Sequence, residues 1–113
     1  MNIEIDVLTL KQRLDLGERI VLLDCREPFE RELARIENVG ESASLFVPMN
    51  DTPTKLPELV PLRHENLVIY CHGGFRSYHV AQWLSTQGFL RAQSLAGGID
   101  DWSCQIDSTV PRY

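Results

Sequence analysis

Cysteine is scarce in this sequence, and the three cysteines are widely separated. Cys25, Cys71 and Cys104 form no CxxC pair and no cluster with metal-ligand spacing, and an odd number cannot pair completely within one chain. No apolar run has the length of a signal peptide or a membrane span. These absences argue against a disulfide framework and predict a cytoplasmic location.

Positive charge is also in short supply. The 113 residues include 11 lysines and arginines against 16 aspartates and glutamates, which gives a formal net charge of −5. Nucleic acids and anionic membrane surfaces repel an acidic chain, so neither is an expected partner. The length, with 43% hydrophobic and 24% charged residues, predicts one globular domain over residues 1–113. An anionic substrate would need a local positive field.

Short apolar runs alternate with helical patterns, which is typical of an α/β domain. Residues 20–23 (Ile-Val-Leu-Leu) and 67–70 (Leu-Val-Ile-Tyr) are continuous apolar runs of the kind found in parallel strands that are buried on both faces. Shorter strands are predicted near residues 3–6, 45–47 and 92–95. The chain therefore has five candidate strands.

Helices are predicted between these strands. Thr9 and Gln12 have the spacing of a capping box, and Gly17 can end the helix that follows. Pro28 suits the first turn of a short second helix. Residues 37–65 contain three prolines after position 50, and we expect loops and one short helix there.

Cys71 directly follows the second apolar run and begins the segment Cys71-His72-Gly73-Gly74-Phe75-Arg76, after which a helix is predicted to begin at Ser77. This order places the sulfur at the carboxyl edge of a parallel sheet, where ligands of α/β proteins bind. Backbone N–H groups, a helix N-terminus and an arginine would stabilise a thiolate or an anion. We expect the pKa of Cys71 to fall from about 8.5 towards neutrality or below. The alternative is a small buried hydrophobe at a strand end.

Three segments resemble one protein family. Cys71-His72-Gly73-Gly74-Phe75-Arg76-Ser77 resembles the active-site loop of rhodanese-like sulfurtransferases. Leu22-Leu23-Asp24-Cys25-Arg26-Glu27-Pro28 is similar to the family's Asp-Val-Arg-Glu segment, and Leu95-Ala96-Gly97-Gly98-Ile99-Asp100-Asp101-Trp102 is similar to its carboxyl-terminal Gly-Gly and Trp motif. In one departure, Ala34-Arg35-Ile36 stands where many members have Gly-His-Ile, which puts a supporting contact in doubt.

The resemblance implies a single rhodanese-like domain with a central, mainly parallel five-stranded sheet flanked by helices on both faces. It also implies a thiosulfate sulfurtransferase in which Cys71 is the catalytic nucleophile and carries sulfane sulfur as a persulfide. No metal or organic cofactor is needed. Cyanide, thioredoxin-like thiols and sulfur-carrier proteins all fit as acceptors. The residues implied to bind the anionic donor, the thiolate or the persulfide are His72, Gly73, Gly74, Phe75, Arg76 and Ser77.

Two other functions are weaker interpretations of the same loop. A phosphatase or arsenate reductase on this fold would also use a cysteine, N–H donors and an arginine, but its pattern has five residues between them. Cys71 and Arg76 have four residues between them, which suits sulfur transfer better. A noncatalytic rhodanese-like binding module commonly lacks the cysteine, which this chain keeps.

The remaining candidates have structural interpretations. Asp24 and Arg26 are expected to form an ion pair that ties loops together. Cys25 and Cys104 would be resolving thiols if one lay near Cys71, but packing is the expected role for each. Exposed histidines and core tryptophans receive no catalytic role: His64, His79, Trp83 and Trp102.

Overall fold

Strands and helices alternate along the chain in the computed structural model, which describes residues 2–37 and 39–113. The strands within these residues are β1 (Glu4–Ile5), β2 (Ile20–Asp24), β3 (Ser42–Phe46), β4 (Asn66–Tyr70) and β5 (Ala92–Leu95). The helices are α1 (Val7–Asp15), α2 (Pro28–Leu33), α3 (Thr52–Leu59), α4 (Phe75–Thr86) and α5 (Gly98–Gln105). Short 3-10 helices at Met49–Asp51 and Val60–Leu62 flank α3.

The five strands form one parallel sheet in the order β1-β5-β4-β2-β3. The two continuous apolar runs are β2 and β4, which pair with each other from Ile20 and Asn66 to Asp24 and Tyr70. The prediction of a five-stranded α/β sheet with flanking helices is therefore confirmed. The pairing also places the carboxyl ends of β2 and β4 side by side.

Helices cover both faces of the sheet and define two core layers. On the α1 side, Leu10 and Leu14 of α1 and Trp102 of α5 pack with Leu22 and Val68 of the sheet. Alternate strand residues point the other way, because successive side chains of a strand lie on opposite faces.

The described residues contain no helix that is both long enough and apolar enough to cross a lipid bilayer.

The second core layer lies on the α4 side of the sheet. Val80 and Leu84 of α4 and Leu59 of α3 pack there against Leu23 and Ile69 of the sheet. This layer continues to the carboxyl ends of β2 and β4. The α4 side therefore supplies an apolar floor beneath the loop that follows β4.

The start of α1 differs from the prediction. Asp6, not Thr9, caps this helix: the Asp6 carboxylate accepts a hydrogen bond of 2.7 Å from the Thr9 backbone N–H. Thr9 is already inside the helix, so its pairing with Gln12 is not a capping box. The predicted end is confirmed, because Gly17 follows the last turn with a φ of 84°.

The start of α4 also differs. The helix begins at Phe75, two residues before the predicted start at Ser77. Gly74 is the residue before the helix and has a φ of 105°, in the left-handed region that glycine adopts readily. The turn is thus completed at one glycine, and the loop between β4 and α4 is shorter than the motif suggested.

Candidate active site

Cys71 follows β4 directly, and its side chain is almost completely buried, with 1% of the residue exposed. The backbone N–H of Gly74 lies 3.1 Å from Cys71 Sγ and that of Ser77 lies 3.4 Å from it. The Ser77 hydroxyl is also 3.4 Å away. Ser77 is in the first turn of α4, so one of these donors is an N–H group of a helix N-terminus. The sulfur therefore lies where a negative charge is stabilised.

The two loop glycines are not equivalent. A Cβ on Gly74 would lie 3.1 Å from the Gly97 backbone nitrogen and would also require the left-handed backbone to accept a side chain. A Cβ on Gly73 would meet no atom within 4 Å, and its φ is not positive. Of the pair singled out in the sequence, Gly74 is the residue that shapes the loop.

The start of α5 holds the loop between β4 and α4 by backbone hydrogen bonds. The backbone N–H of Ile99 donates to the Cys71 carbonyl at 2.9 Å, and that of Asp100 donates to the His72 carbonyl at 3.1 Å. A Cβ on Gly98 would lie 2.6 Å from the Cys71 carbonyl oxygen and closer still to that of His72. Only glycine fits at position 98, which explains how the Gly-Gly motif belongs to the site.

A pair of buried hydroxyl groups extends the site away from Cys71. Ser77 Oγ and Ser94 Oγ are 2.7 Å apart, and both residues are fully buried. When Cys71 is a thiolate, the Ser77 hydroxyl donates to the sulfur and the Ser94 hydroxyl donates to Ser77. Ser94 was not among the site residues predicted from the sequence. A serine in an otherwise buried strand was the available signal.

Cys25 lies beside Cys71. Asp24 pairs with Tyr70 at the ends of β2 and β4, so the next residues, Cys25 and Cys71, are level with each other and share the core layer of the α4 side. The Tyr70 carbonyl accepts hydrogen bonds from both the backbone N–H of Cys25 at 3.1 Å and its thiol at 3.4 Å. The expected packing role of Cys25 is confirmed, and the position also brings a second thiol to the site.

The surroundings of Cys71 lower the pKa of its thiol and so favour the thiolate. The Cys25 thiol contributes most to lowering the pKa of Cys71 to about 4; burial opposes this shift, and the hydroxyl and N–H of Ser77 and the N–H of Gly74 support it. The same contact with Cys71, together with burial, raises the pKa of Cys25 well above its ordinary value. Cys25 therefore keeps its proton while Cys71 loses its own.

Arg76 is paired with Glu30, which the sequence analysis did not identify. Two Arg76 nitrogens donate to the two Glu30 carboxylate oxygens at 2.6 and 2.9 Å. Glu30 is buried, and Arg76 holds the pKa of its carboxyl down to about 2, with burial opposing the shift. The Tyr113 hydroxyl donates to the same carboxylate at 2.8 Å. The arginine of the loop is thus oriented by a buried partner.

The other predicted loop residues lie around the opening. His72 is half-buried, and its ring centroid is 4.4 Å from that of Tyr113. Phe75 is 77% exposed and makes an edge-to-face contact with His79 at 4.8 Å. His64 and His79 are exposed, as expected. Within the described residues, the hydrogen bonds to Cys71 Sγ from the loop backbone come from Gly74 and Ser77.

Asp24 and Arg26 form a fully buried ion pair on the α1 side of the sheet. Arg26 Nε and one terminal nitrogen each lie 2.8 Å from an Asp24 carboxylate oxygen. Arg26 also donates to the carbonyl oxygens of Glu30 and Ala34. The predicted structural ion pair is confirmed, and it joins the end of β2 to the end of α2.

The departure at residues 34–36 leaves the supporting contacts in place, because the backbone makes them. The Ala34 carbonyl accepts from Arg26, and the Ile36 N–H donates to the Tyr70 hydroxyl at 3.2 Å. The Arg35 side chain is exposed and pairs with Glu37.

The other three residues expected to pack differ in outcome. Trp102 is in the core of the α1 side, as expected, whereas Trp83 is only partly buried and packs against the core layer of the α4 side. The packing role expected for Cys104 is wrong: it is exposed on α5, whose buried residues include Ile99, Trp102 and Ser103. The helix has one buried stripe, and Cys104 lies outside it.

Comparison with known proteins agrees with this fold. Residues 6–105 match the family described as Rhodanese-like domain, and the chain belongs to that family. A sulfurtransferase of Allochromatium vinosum is 36% identical over 100 residues, covering 88% of this chain and 87% of that protein. The putative sulfur carrier protein YrkF of Bacillus subtilis is 31% identical over 100 residues, and this chain spans half of its length.

A solved structure has the same fold over the whole chain. SSP1007 of Staphylococcus saprophyticus superposes with a TM-score of 0.78 and is 26% identical, covering 99% of this chain and 100% of that one.

Proposed function

We propose that residues 1–113 act as one rhodanese-like sulfurtransferase domain in which Cys71 receives a sulfane sulfur and carries it as a persulfide. The observation that carries this proposal is the position of Cys71 Sγ, which accepts hydrogen bonds from the backbone N–H groups of Gly74 and Ser77. A buried thiolate stabilised in this way is available as a nucleophile at neutral pH. Membership of the rhodanese-like family supports the same chemistry.

In the first half-reaction, the Cys71 thiolate attacks the outer sulfur of an anionic donor such as thiosulfate. The new bond joins Cys71 Sγ to that sulfur, and the sulfur–sulfur bond of thiosulfate breaks. Sulfite leaves with the electron pair, and Cys71 is left as a persulfide. The N–H groups of Gly74 and Ser77 stabilise the charge on Sγ before attack.

Arg76 is the proposed donor-binding residue. A guanidinium has five N–H donors, and Glu30 takes two of them, so others remain for an oxyanion. The Glu30 carboxylate offsets much of the arginine charge, which makes recognition of the donor directional rather than simply electrostatic. The exposed backbone of Gly73 and the half-buried His72 lie at the same opening.

In the second half-reaction, a nucleophile takes the outer sulfur and restores the thiolate. Cyanide, a thiol of a thioredoxin-like protein and a sulfur-carrier protein all fit this role. The similarity to YrkF, described as a putative sulfur carrier, supports a protein acceptor. Exposed Phe75 beside the loop offers such a protein an apolar contact.

The test is steady-state formation of thiocyanate from thiosulfate and cyanide. We expect activity in the parent protein, none above background in Cys71→Ser, and parental activity in Cys104→Ala, whose thiol is exposed and outside the site. We also expect no hydrolysis of an aryl phosphate. Thiocyanate formation by folded Cys71→Ser at the parental rate would rule out the proposed nucleophile.

A further inference from the structure

A second thiol, that of Cys25, shares the buried site with Cys71, and the proposed reaction does not use it. We propose that Cys25 is a resolving thiol: it attacks the Cys71 persulfide, releases hydrogen sulfide and leaves a Cys25–Cys71 disulfide. This inference rests on the proposed function, because it needs the persulfide that thiosulfate or another sulfane donor would form.

The strand pairing gives the two cysteines a separation that a disulfide can span. Neighbouring strands of a sheet are about 4.8 Å apart, and Cα atoms joined by disulfides are about 4.4 to 6.8 Å apart. Asp24 and Tyr70 are paired at the ends of β2 and β4, and Cys25 and Cys71 are the first residues after those strands. Both side chains belong to the core layer on the α4 side. Bond formation therefore needs no rearrangement of the sheet.

Cys71 is the reactive neighbour of Cys25. Both residues are only 1% exposed, and they share the core layer on the α4 side. The Cys25 thiol donates to the Tyr70 carbonyl at the end of β4, and Cys71 is the residue that follows Tyr70 in the same core layer. The family segment quoted above has a valine at this position. Valine would fill the space as well, but it has neither a proton to donate nor a sulfur to react.

The proposed step balances without an added oxidant. The Cys25 sulfur attacks Sγ of Cys71, the inner sulfur of the persulfide, as the Cys25 proton passes to the negatively charged outer sulfur. A bond forms between the sulfur atoms of Cys25 and Cys71, and the bond from Cys71 Sγ to the outer sulfur breaks. The outer sulfur leaves with that electron pair and takes the Cys25 proton, so it departs as hydrosulfide. The sulfane sulfur is reduced, and the two cysteines are oxidised.

A dithiol from solution completes the cycle. Its first thiolate attacks the Cys25–Cys71 disulfide and its second releases the mixed disulfide, which returns both cysteines to the reduced state. In sum, a sulfane sulfur and a dithiol are converted to hydrogen sulfide and a disulfide. The chain would then discharge its persulfide internally when no direct acceptor is bound.

The experiment is a single turnover without thiol or cyanide. Reduced protein is mixed with one equivalent of thiosulfate and quenched in acid at completion; sulfite, sulfide and intact mass are then measured. We expect the parent to release one equivalent each of sulfite and sulfide and to lose two hydrogen atoms in mass. Peptide mapping should locate the disulfide at Cys25 and Cys71.

Three variants separate this step from the first half-reaction. Cys25→Ser should release sulfite more slowly, because Cys25 helps to lower the pKa of Cys71. At completion it should have released no sulfide and gained one sulfur atom, mapped to Cys71. Cys25→Val, with the residue of the family segment, should do the same and serves if the serine variant does not fold. Cys71→Ser should release neither product and keep its mass.

The outcomes distinguish the two proposals. If the parent releases sulfite, retains the extra sulfur and forms no sulfide, Cys25 is not a resolving thiol, and the proposed function stands. If the parent releases no sulfite, both proposals are wrong. Sulfide from Cys25→Ser in the parental amount, or a disulfide that involves Cys104, would also overturn the role of Cys25.

Discussion

Two clusters lie at the same edge of the sheet, on opposite faces of the same two strands. On the α4 side, Cys25 and Cys71 place two sulfur atoms together, and on the α1 side the last residues of the strands are Asp24 and Tyr70. Arg26 pairs with Asp24 there. Successive residues of an extended chain face opposite ways. The charged, hydrogen-bonded cluster and the sulfur cluster are therefore built from neighbouring residues of the same two segments.

The difference teaches how this edge separates stability from reactivity. The charges on the α1 side satisfy one another: Arg26 donates to the Asp24 carboxylate and to two carbonyl groups. On the α4 side, Cys71 is a thiolate whose charge is held by a thiol, a hydroxyl and N–H groups, which leave the sulfur nucleophilic. Substitutions in the charged cluster on the α1 side should therefore mainly lower the stability of the fold, and substitutions of the cysteines on the α4 side should mainly change the reaction.

The largest effect on stability should come from Asp24→Asn. This change leaves the fully buried Arg26 guanidinium without its paired carboxylate, and breaking a buried pair costs about 3–5 kcal/mol. Arg31→Gln is the matched control, because Arg31 is the second and partly exposed partner of Asp24. Arg31 also pairs with Glu37 and lies over the Phe46 ring, and its loss should cost about 1 kcal/mol or less. Urea unfolding followed by circular dichroism measures both. Equal losses would contradict the structural role of the Asp24–Arg26 pair.

Gly74→Ala should have the next largest effect and should damage both stability and reaction. A left-handed backbone costs a residue with a side chain about 1–2 kcal/mol, and the new Cβ would press against the Gly97 nitrogen. The displaced Gly74 N–H would also support the thiolate less well, so sulfite release should slow. Gly73→Ala, with open space around its Cβ, is the control and should stay close to the parent in both measurements. Parental stability and rate in Gly74→Ala would show that this loop conformation is not required.

Cys25→Ala should change reactivity with little effect on the charged side. It removes the largest contribution to the lowered pKa of Cys71, so the pKa should rise from about 4. Since the thiolate is the reactive form, the rate of sulfite release should fall as acidification passes this pKa, and the fall should occur at a higher pH in Cys25→Ala. Cys25→Ser keeps a hydroxyl donor and should shift less. The ultraviolet absorbance of the thiolate, with Cys71→Ser subtracted, gives the midpoint without a reagent having to enter the site. An unchanged midpoint in Cys25→Ala would contradict the contact between the thiols.

Glu30→Gln should have the smallest of these effects on reaction. Loss of the carboxylate leaves the Arg76 charge uncompensated at the loop, so KM for thiosulfate should fall by about twofold to fivefold, which is about 0.4–1 kcal/mol. Arg76→Gln should raise KM instead. Steady-state kinetics at constant ionic strength measures both changes, and a KM that is insensitive to either substitution would argue against donor binding by Arg76.

Local sequence pattern was enough to predict the strands β2 and β4 and the place of Cys71 after β4. The runs that became β2 and β4 are long and apolar, and Cys71 stands between one of them and a glycine-bearing loop, so strand, sulfur and helix followed in order. The start of α4 was missed because the left-handed Gly74 can begin a helix at once, whereas the sequence pattern favoured Ser77.

Contacts between distant segments could not be read in the same way. Glu30 and Arg76 are 46 residues apart, and only the placement of α2 against the loop brings them together. The neighbouring positions of Cys25 and Cys71 depend on the register between β2 and β4, which neither run specifies alone. Both runs do end close to a cysteine, and an assumed register would have paired them.

The central claim is that sulfur chemistry belongs to Cys71 on the α4 side and not to the charged cluster behind it. The most direct measurement is the amount of sulfite released by one equivalent of thiosulfate in the absence of an acceptor, in the parent, Cys71→Ser and the folded fraction of Asp24→Asn. We predict one equivalent from the parent, none from Cys71→Ser, and close to one per folded chain from Asp24→Asn. Sulfite from Cys71→Ser in the parental amount would contradict the claim.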